Sequence, residues 1–187
     1  AAAIYMTCQG TLFLLSGEEF ARTKNGMEDS FNAPVALNRL DWRLAWENQG
    51  LVEYYKGLIG LRRQLPGLCD KSAKAAERIE YICKSDGIVS FMVDNRSENC
   101  CSKWDRLWII YNSTKQKIVS EPEGNGWEIL CDALDSTRWK YSAAAPKSVT
   151  AAAQSVLILG HRADSPVSGT VQVRIRKEYG NKRKKGG

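Results

Sequence analysis

The sequence has very few residues that could bind a transition metal. It contains one histidine, His161, and none of its six cysteines is spaced as a CxxC pair. Structural zinc sites use four such ligands at short spacings, so we expect no metal and no other cofactor. Cys100 and Cys101 are adjacent, which is more typical of reduced thiols than of a disulfide framework. This pattern favours a cytoplasmic over a secreted location.

A long apolar run is also missing. Gln9 and Gly10 interrupt the apolar stretch near the start, so no segment is long enough to span a bilayer and no membrane partner is expected. The chain begins with Ala1 instead of Met, carries no basic leader, and opens on residues typical of the last turns of a helix. We therefore expect it to be a fragment of a longer protein.

The formal net charge of +6 is concentrated at one end of the chain. Seven of the 27 Lys and Arg residues lie in 171–187 against a single acid, Glu178, so the remainder is electrically neutral. This tail could contact phosphates, but it has one aromatic residue, Tyr179, and no recognised nucleic-acid module, so a nucleic-acid partner is not expected. Alternation over 171–175 could add a short edge strand, whereas the Gly-rich end is typical of disorder. We expect 163–187 to be a basic, disordered tail.

The first part of the chain has the pattern of an α/β unit. Residues 1–8 favour a helix, and 11–15 (TLFLL) form a short apolar run typical of a buried parallel strand. Across 43–65 apolar residues recur at helical spacing, until Pro66. A helix after such a strand is half of a βα repeat, so we expect 1–76 to be the remnant of an α/β domain.

Short β-rich runs dominate the second part. They are separated by turn signals such as SDG, DNRSEN and EGNG, which is typical of an antiparallel β-sandwich. We therefore expect a βα remnant followed by an all-β sandwich domain at 77–162. The runs lie at 79–83, 88–93, 107–111, 117–119, 127–131 and 156–159.

The segment GEEFARTKNGMEDSFNAPVALNRLDW, residues 17–42, is long for a connection. In α/β barrels the loops that follow strands carry the active site, whereas the turns that follow helices are short. Its contents suit a sugar, because asparagines donate and accept, Arg22, Lys24 and Arg39 donate, and Phe31 offers a stacking face. The alternative is an ordinary solvated loop, with Asp41 capping the next helix.

The same segment carries a resemblance to an enzyme family. It is found in QGTLFLLSGEEFARTKNGMEDSFNAPVALNRLDW, followed by VEYYKGLIGLRRQLPGL. These residues closely resemble the last strand, its loop and the last helix of the (β/α)8 barrel in type I pullulanases, debranching members of glycoside hydrolase family thirteen. DRLWIIYNSTKQ, EPEGNGWEIL and SVLIL resemble the C-terminal β-sandwich of that family. The resemblance spans roughly residues 1–161.

The resemblance implies an enzyme that hydrolyses α-1,6-glucosidic bonds with retention, through a covalent glycosyl-enzyme intermediate. Its catalytic carboxylates follow earlier barrel strands, which would lie upstream of Ala1, so we expect no catalytic residue here and no activity from this chain alone. Glu18 and Glu19 are adjacent and would point apart if extended, so we expect them to brace the loop by hydrogen bonds. The expected partners are an α-glucan substrate and the rest of the barrel.

The substrate-binding residues implied by the resemblance are Asn32, Asn38 and Arg39. They match loop positions near the glucose units on the non-reducing side of the cut bond, and we expect Asn38 and Arg39 to contact the sugar. Val35 stands where the family usually has Asp, so one carboxylate contact is absent and affinity is expected to be lower.

A different class of function is a non-catalytic carbohydrate-binding or structural module, in which the sandwich is the functional part. Indole rings stack well on sugars, but the sandwich tryptophans have no regular spacing, so core packing is favoured. Trp42 and Trp46 are expected to pack at the start of the last barrel helix, and His161 to lie on the surface. The four sandwich tryptophans are Trp104, Trp108, Trp127 and Trp139.

Overall fold

The computed structural model describes residues 1–98, 101–141 and 143–162, together with the backbone of 174–177. The α-helices are α1 (Ala2–Met6), α2 (Val35–Asn38), α3 (Trp42–Glu47), α4 (Gln49–Arg62) and α5 (Pro66–Cys69), with 3-10 turns at Glu18–Phe20, Ala75–Arg78 and Arg138–Lys140. In this described part, no helix has the length and apolar content needed to cross a membrane. The strands are β1 (Ile79–Ser85), β2 (Ile88–Asp94), β3 (Trp104–Asn112), β4 (Ile118–Glu121), β5 (Trp127–Cys131), β6 (Val149–Ala151), β7 (Ser155–Arg162) and β8 (Arg174–Lys177).

The helix predicted over 43–65 is divided into α3 and α4. Asp41 caps α3 as expected, since its carboxylate accepts a hydrogen bond of 3.1 Å from the Arg43 N–H. Asn48 ends α3 by donating from its side-chain amide to the Leu44 carbonyl at 3.0 Å, and α4 begins at the next residue. The two helices differ in burial, because α4 buries Tyr55, Leu58 and Leu61, whereas no residue of α3 is buried.

The strand predicted at 11–15 is not formed. These residues have no regular secondary structure, and Phe13 is 92% exposed. A parallel strand needs a neighbouring strand to accept and donate its backbone hydrogen bonds. The described strands begin at Ile79 and pair antiparallel with one another, so this segment finds no partner among them. The βα unit predicted from the sequence is therefore not seen.

Two antiparallel sheets form the second part of the chain. One has five strands in the order β1-β2-β3-β7-β5, and the other has three in the order β6-β4-β8. The sequence predicted six of these strands. It did not predict β6, which is only three residues long, and it considered β8 only as a possible edge strand. The backbone of β8 pairs with β4, and the rest of the basic tail lies outside the described residues.

Both faces of the five-stranded sheet are buried. On β3, Leu107 and Ile109 belong to one hydrophobic core, whereas Trp108 and Ile110 belong to another. This explains why the central residues of β3 and β7, 107–111 and 156–159, are continuously apolar instead of alternating, as is usual for strands that are covered on both sides. The sheet is therefore the middle layer of three, with helices on one side and the three-stranded sheet on the other.

The first core joins the helices to the five-stranded sheet. Leu58 and Leu61 of α4 are at most 2% exposed and lie in the same cluster as Ile109 and Ile158 of the sheet. Residues from both sides of the expected boundary after residue 76 thus share one core. Its buried members are Ala3, Met6, Tyr55, Leu58, Leu61, Leu65, Leu68, Val93, Trp104, Leu107, Ile109, Leu130, Cys131, Val156 and Ile158.

Arg62 fastens the start of the chain to this core. Its guanidinium donates to the carbonyls of Met6 at 2.6 Å, Cys8 at 2.7 Å and Gly10 at 2.7 Å, and to that of Leu68 at 3.1 Å. Met6 is the last residue of α1, Cys8 and Gly10 follow it, and Leu68 lies near the end of α5, where helices leave carbonyl acceptors unpaired. One side chain therefore fixes the point from which residues 11–15 leave the core.

Candidate functional site

The loop over residues 16–41 begins with a tight turn that its own acids stabilise. Gly17 has a φ of +98°, and an added Cβ there would lie 2.6 Å from Cδ of Arg22, so glycine is required by conformation and by space. The carboxylate of Glu18 accepts from the Leu15 N–H at 3.3 Å, and that of Glu19 accepts from the Gly17 N–H at 2.9 Å. The expectation that these two acids brace the loop is confirmed, although they lie in a 3-10 turn and not in an extended segment.

Phe20 anchors the loop to the helices. Its side chain is 1% exposed and packs on the ring of Trp42, with 5.6 Å between ring centroids. Asn48 also donates to the Phe20 carbonyl at 3.4 Å. The expected packing at the start of this helix is thus seen for Trp42, although it remains 67% exposed, whereas Trp46 is 81% exposed and the expectation is wrong for it. Each could be buried only by atoms that the described residues do not supply.

Asn38 is the centre of the hydrogen bonding within the loop. Its side-chain NH2 donates to the Ser30 carbonyl at 2.7 Å and to the Ala33 carbonyl at 3.1 Å. Its side-chain oxygen accepts from Lys24 Nζ, and its backbone carbonyl accepts from the Arg22 guanidinium. The half-buried Asn38 therefore ties three separated segments of the loop together.

The other two predicted residues lie beside this centre and are exposed. Asn32 lies in the turn that the Ala33 N–H closes on the Ser30 carbonyl at 3.1 Å, between the two carbonyls that Asn38 binds. Arg39 follows α2, and its N–H donates to the Val35 carbonyl at 2.8 Å. Neither side chain makes a hydrogen bond or ion pair to the residues described, so both have free donors. The structure thus brings the three predicted residues into one part of the loop.

Arg22 and Lys24 were predicted as donors to a sugar, but the structure shows them bonded to Asn38. Arg22 also donates to the Ser16 carbonyl at 3.0 Å, so it connects the start of the loop with its end. Burial, and then the positive charge of Arg22, lower the pKa of the Lys24 ammonium. The sequence signal for this role is the RTK triplet, but nothing in the triplet indicates that its partner is Asn38.

Three of the four sandwich tryptophans and the histidine are parts of the core, and Trp139 is partly buried against it. Trp104, Trp108 and Trp127 are between 1% and 4% exposed, which agrees with the predicted core packing. The expectation that His161 lies on the surface is wrong, since it is 3% exposed and its Nδ1 lies 2.9 Å from Oδ1 of Asp105. The reason is that β7 continues to Arg162, beyond the predicted end at 159, and carries His161 into the sheet.

Elsewhere, the described residues offer no group of three or more His, Cys, Asp or Glu side chains placed to hold a metal ion. A groove of about 1230 Å³ runs between α1, the start of α4 and the β1–β2 turn. Its lining includes Tyr54, Tyr111 and Leu134, and the Tyr54 hydroxyl is occupied by the Asp132 carbonyl at 2.7 Å. The groove contains no residue of loop 16–41.

The chain was compared with known proteins, and it is similar to debranching enzymes. No protein-family model matches the sequence. The pullulanase of Bacillus subtilis (strain 168) is 29% identical over 134 residues, which cover 71% of this chain and 18% of that protein. The glycogen debranching enzyme of Salmonella typhi is 29% identical over 135 residues, covering 65% of this chain and 19% of that enzyme. The chain is homologous to pullulanases. It spans about one-fifth of the length of these relatives, and a partial match of this kind fits the C-terminal part of a pullulanase.

Solved pullulanase structures have the same fold. The pullulanase from Bacillus acidopullulyticus superposes with a TM-score of 0.72 and 25% identity, over 86% of this chain and 20% of that one. The pullulanase from Paenibacillus barengoltzii, in complex with maltohexaose and α-cyclodextrin, superposes with a TM-score of 0.69 and 26% identity, over 86% of this chain and 24% of that one. Because each superposition covers 86% of this chain, it includes helices as well as sheets.

Proposed function

We propose that this chain is the C-terminal part of a pullulanase-type debranching enzyme and that loop 16–41 forms one wall of its α-glucan cleft. The complete enzyme hydrolyses α-1,6-glucosidic bonds with retention, in a reaction that needs a nucleophilic carboxylate and a second carboxyl group as acid and base. The remainder of the catalytic barrel supplies both groups. The glucan is the substrate class to which the ligands of the solved relatives belong.

One observation carries this proposal. Loop 16–41 is braced internally and still leaves Asn32 and Arg39 exposed, with donors that no described residue uses. Sugar sites are built in this way, with a few polar groups held in place by a rigid scaffold. Phe31 is 82% exposed in the same turn and offers an apolar face. In contrast, Glu18 and Glu19 are bonded to backbone amides, so the loop contributes binding groups and no catalytic pair.

The exposed apolar segment before the loop supports a place within a larger barrel. Phe13 is 92% exposed, Leu15 54% and Trp46 81%, and such surfaces in soluble proteins mark contacts with other protein. In the parent enzyme, 11–15 would pair with neighbouring barrel strands, and α3 and α4 would pack beside the preceding helix. The partner of this surface is therefore the rest of the barrel.

The proposal is tested by affinity electrophoresis of the chain through gels that contain pullulan. Arg39→Ala removes a charged hydrogen-bond donor and is expected to weaken retardation about tenfold, as for the loss of one such contact. Arg63→Ala is the matched control, because Arg63 is an exposed arginine outside the loop. In the same preparation we expect no hydrolysis of pullulan, and robust turnover would contradict the assignment of the catalytic carboxylates to the rest of the enzyme.

The electrophoresis also distinguishes glucan binding by loop 16–41 from glucan binding by a module in the sandwich. Trp104, Trp108 and Trp127 are buried, so Trp139 is the sandwich tryptophan with surface to offer among those described. If retardation were lost in Trp139→Ala and kept in Arg39→Ala, the chain would bind glucan through the sandwich and the proposal would be wrong.

A further inference from the structure

We propose that Lys24 and Arg22 are positioning residues that fix Asn38 inside loop 16–41, and that Asn32 and Arg39, rather than Asn38, present the free donors to the glucan. This inference rests on the proposed function and assigns roles within the same loop. It differs from the expectation that Asn38 and Arg39 contact the sugar together.

The hydrogen-bonding capacity of Asn38 is nearly used up. A carboxamide offers two N–H donors and one oxygen with two acceptor positions. Both donors are directed at backbone carbonyls, of Ser30 at 2.7 Å and of Ala33 at 3.1 Å, and the oxygen accepts from Lys24 Nζ. One acceptor position remains, beside an ammonium group, so Asn38 has no free donor for a sugar oxygen.

The two cations hold the loop at different points. Arg22 bridges the carbonyls of Ser16 and Asn38, and so closes a segment of the chain that contains both the RTK triplet and the turn around Asn32. Its aliphatic part packs over Gly17, where a Cβ would lie 2.7 Å from Cβ of Arg22. Lys24 instead binds the side chain of Asn38, which fixes the orientation of the carboxamide plane.

This arrangement determines where the exposed donors stand. Asn38 binds the carbonyls on both sides of Asn32, and it directly precedes Arg39 at the end of α2. If Lys24 releases the carboxamide, the turn that carries Asn32 loses both of its bonds to α2. The spacing between Asn32 and Arg39 is then no longer fixed, and both residues lose affinity for one glucan chain because binding would have to order them.

The test is a double-mutant cycle on the whole 187-residue chain, with pullulan as the probe. Lys24→Met and Asn38→Ala are each expected to weaken retardation about fivefold to tenfold, and the double variant no more than either alone, because both break one unit. Lys71→Met, which removes an exposed lysine outside the loop, is the matched control and is expected to leave retardation unchanged.

The outcomes distinguish this inference from the proposed function. If Arg39→Ala weakens retardation but Lys24→Met does not, Asn38 contacts the sugar directly and the positioning role is wrong. The same conclusion follows if the fold-loss of affinity in the double variant equals the product of the fold-losses in the two single variants. If pullulan retards neither the unmodified chain nor Arg39→Ala, loop 16–41 does not bind glucan, and the proposed function is wrong.

A second measurement reports on the loop without a ligand. In ¹H–¹⁵N spectra, the side-chain amide of Asn38 is expected to exchange slowly with solvent and to be shifted from the position of a free carboxamide. In Lys24→Met it should move towards that position, while the backbone spectrum of the sandwich is unchanged. An Asn38 amide that is unaffected by Lys24→Met would overturn the inference, and a spectrum that changes throughout would show that the variant is misfolded and that Lys24 acts on the whole fold.

Discussion

Among the described cysteines, Cys131 has the most unusual surroundings. Its side chain is fully buried in the first core, and Sγ lies 3.4 Å from the Tyr54 hydroxyl. Burial is the main cause that raises the pKa of this thiol to about 12. Because the thiolate is the reactive form, Cys131 should be inert at neutral pH, although the sequence alone gives no reason to separate it from the other cysteines.

Alkylation tests this difference. When the native protein is treated with iodoacetamide at pH 8, we expect modification of the exposed Cys8, Cys69 and Cys101, and none of Cys131 until denaturant is added. Peptide mapping by mass spectrometry locates the label. Equal labelling of Cys131 and Cys8 under native conditions would mean that the core shared by α4 and the sheet opens readily.

Asp70 makes the stability of the chain sensitive to acid. The backbone N–H of Ser72 and then the guanidinium of Arg78, at 2.6 Å, lower the pKa of this carboxyl to about 2. A folded-state pKa below the unfolded value of about 3.9 stabilises the folded state above that pH, and the stabilisation is lost as the pH falls towards 2. The pair joins the end of α5 to the residues just before β1.

We therefore expect Asp70→Asn to be less stable than the unmodified chain at pH 6 and nearly as stable at pH 2. Urea unfolding at a series of pH values measures the difference. Asp86→Asn, in the exposed β1–β2 turn, is the control and should follow the unmodified chain. If the free energies of unfolding of Asp70→Asn and the unmodified chain differ by the same amount at every pH in this range, the ion pair is not the source of the acid sensitivity.

At the level of elements, two glycines of α4 have opposite surroundings. A Cβ at Gly57 would overlap Ser136 Oγ and lie 2.9 Å from Cγ2 of Thr137, whereas a Cβ at Gly50 meets no atom within 4 Å. Ser136 cannot easily move, because its hydroxyl donates to the Tyr54 carbonyl at 2.7 Å. Gly57 is therefore a point of close contact between α4 and the chain between β5 and β6.

These surroundings predict opposite effects of the same substitution. Gly57→Ala should lower the free energy of unfolding by about 1–3 kcal/mol through overpacking. Gly50→Ala should raise it by about 0.5–1 kcal/mol, because alanine favours the helix. Thermal unfolding followed by circular dichroism compares the two variants. A stabilised Gly57→Ala would show that α4 packs less tightly on this segment than the structure indicates.

The elements that the sequence predicted well are those whose signal is local. The alternation of β-rich runs and turns located six strands, and Asp41 marked the start of α3. The segment 11–15 has an equally clear strand pattern, but a strand also requires a partner, and none of the described strands pairs with it. Likewise, the sequence identified the residues of loop 16–41 but not their roles, since the bond from Lys24 to Asn38 spans fourteen positions.

At the scale of the whole molecule, the first core makes the helices and the sandwich interdependent. Leu58 of α4 is 1% exposed and packs in one cluster with residues of β2, β3, β5 and β7. The sequence pattern changes sharply after residue 76, which led to a predicted boundary there. The composition shows the change from helices to strands, but it does not show that the helices and the three-stranded sheet both pack on the five-stranded sheet.

We therefore expect one cooperative unfolding transition. Leu58→Ala should lower the free energy of unfolding by about 2–5 kcal/mol, as for large-to-small changes in a core, and should do so equally by tryptophan fluorescence and by circular dichroism. Leu51→Ala, at a site that is 36% exposed, is the matched control and should cost much less. If the fluorescence of the sandwich tryptophans kept its original midpoint in Leu58→Ala, the two parts would be independent domains.

The burial of both faces of the five-stranded sheet has a consequence for how such a protein can be rearranged in evolution. A recombination event that joined only β1 to β8 to a new enzyme would deliver a sheet with one bare apolar face. That face would need new helices to cover it before the product could be kept. A segment that can be exchanged intact therefore includes the helices that cover this face, and gene fusions that preserve this fold should carry α1, α4 and α5 together with the sandwich.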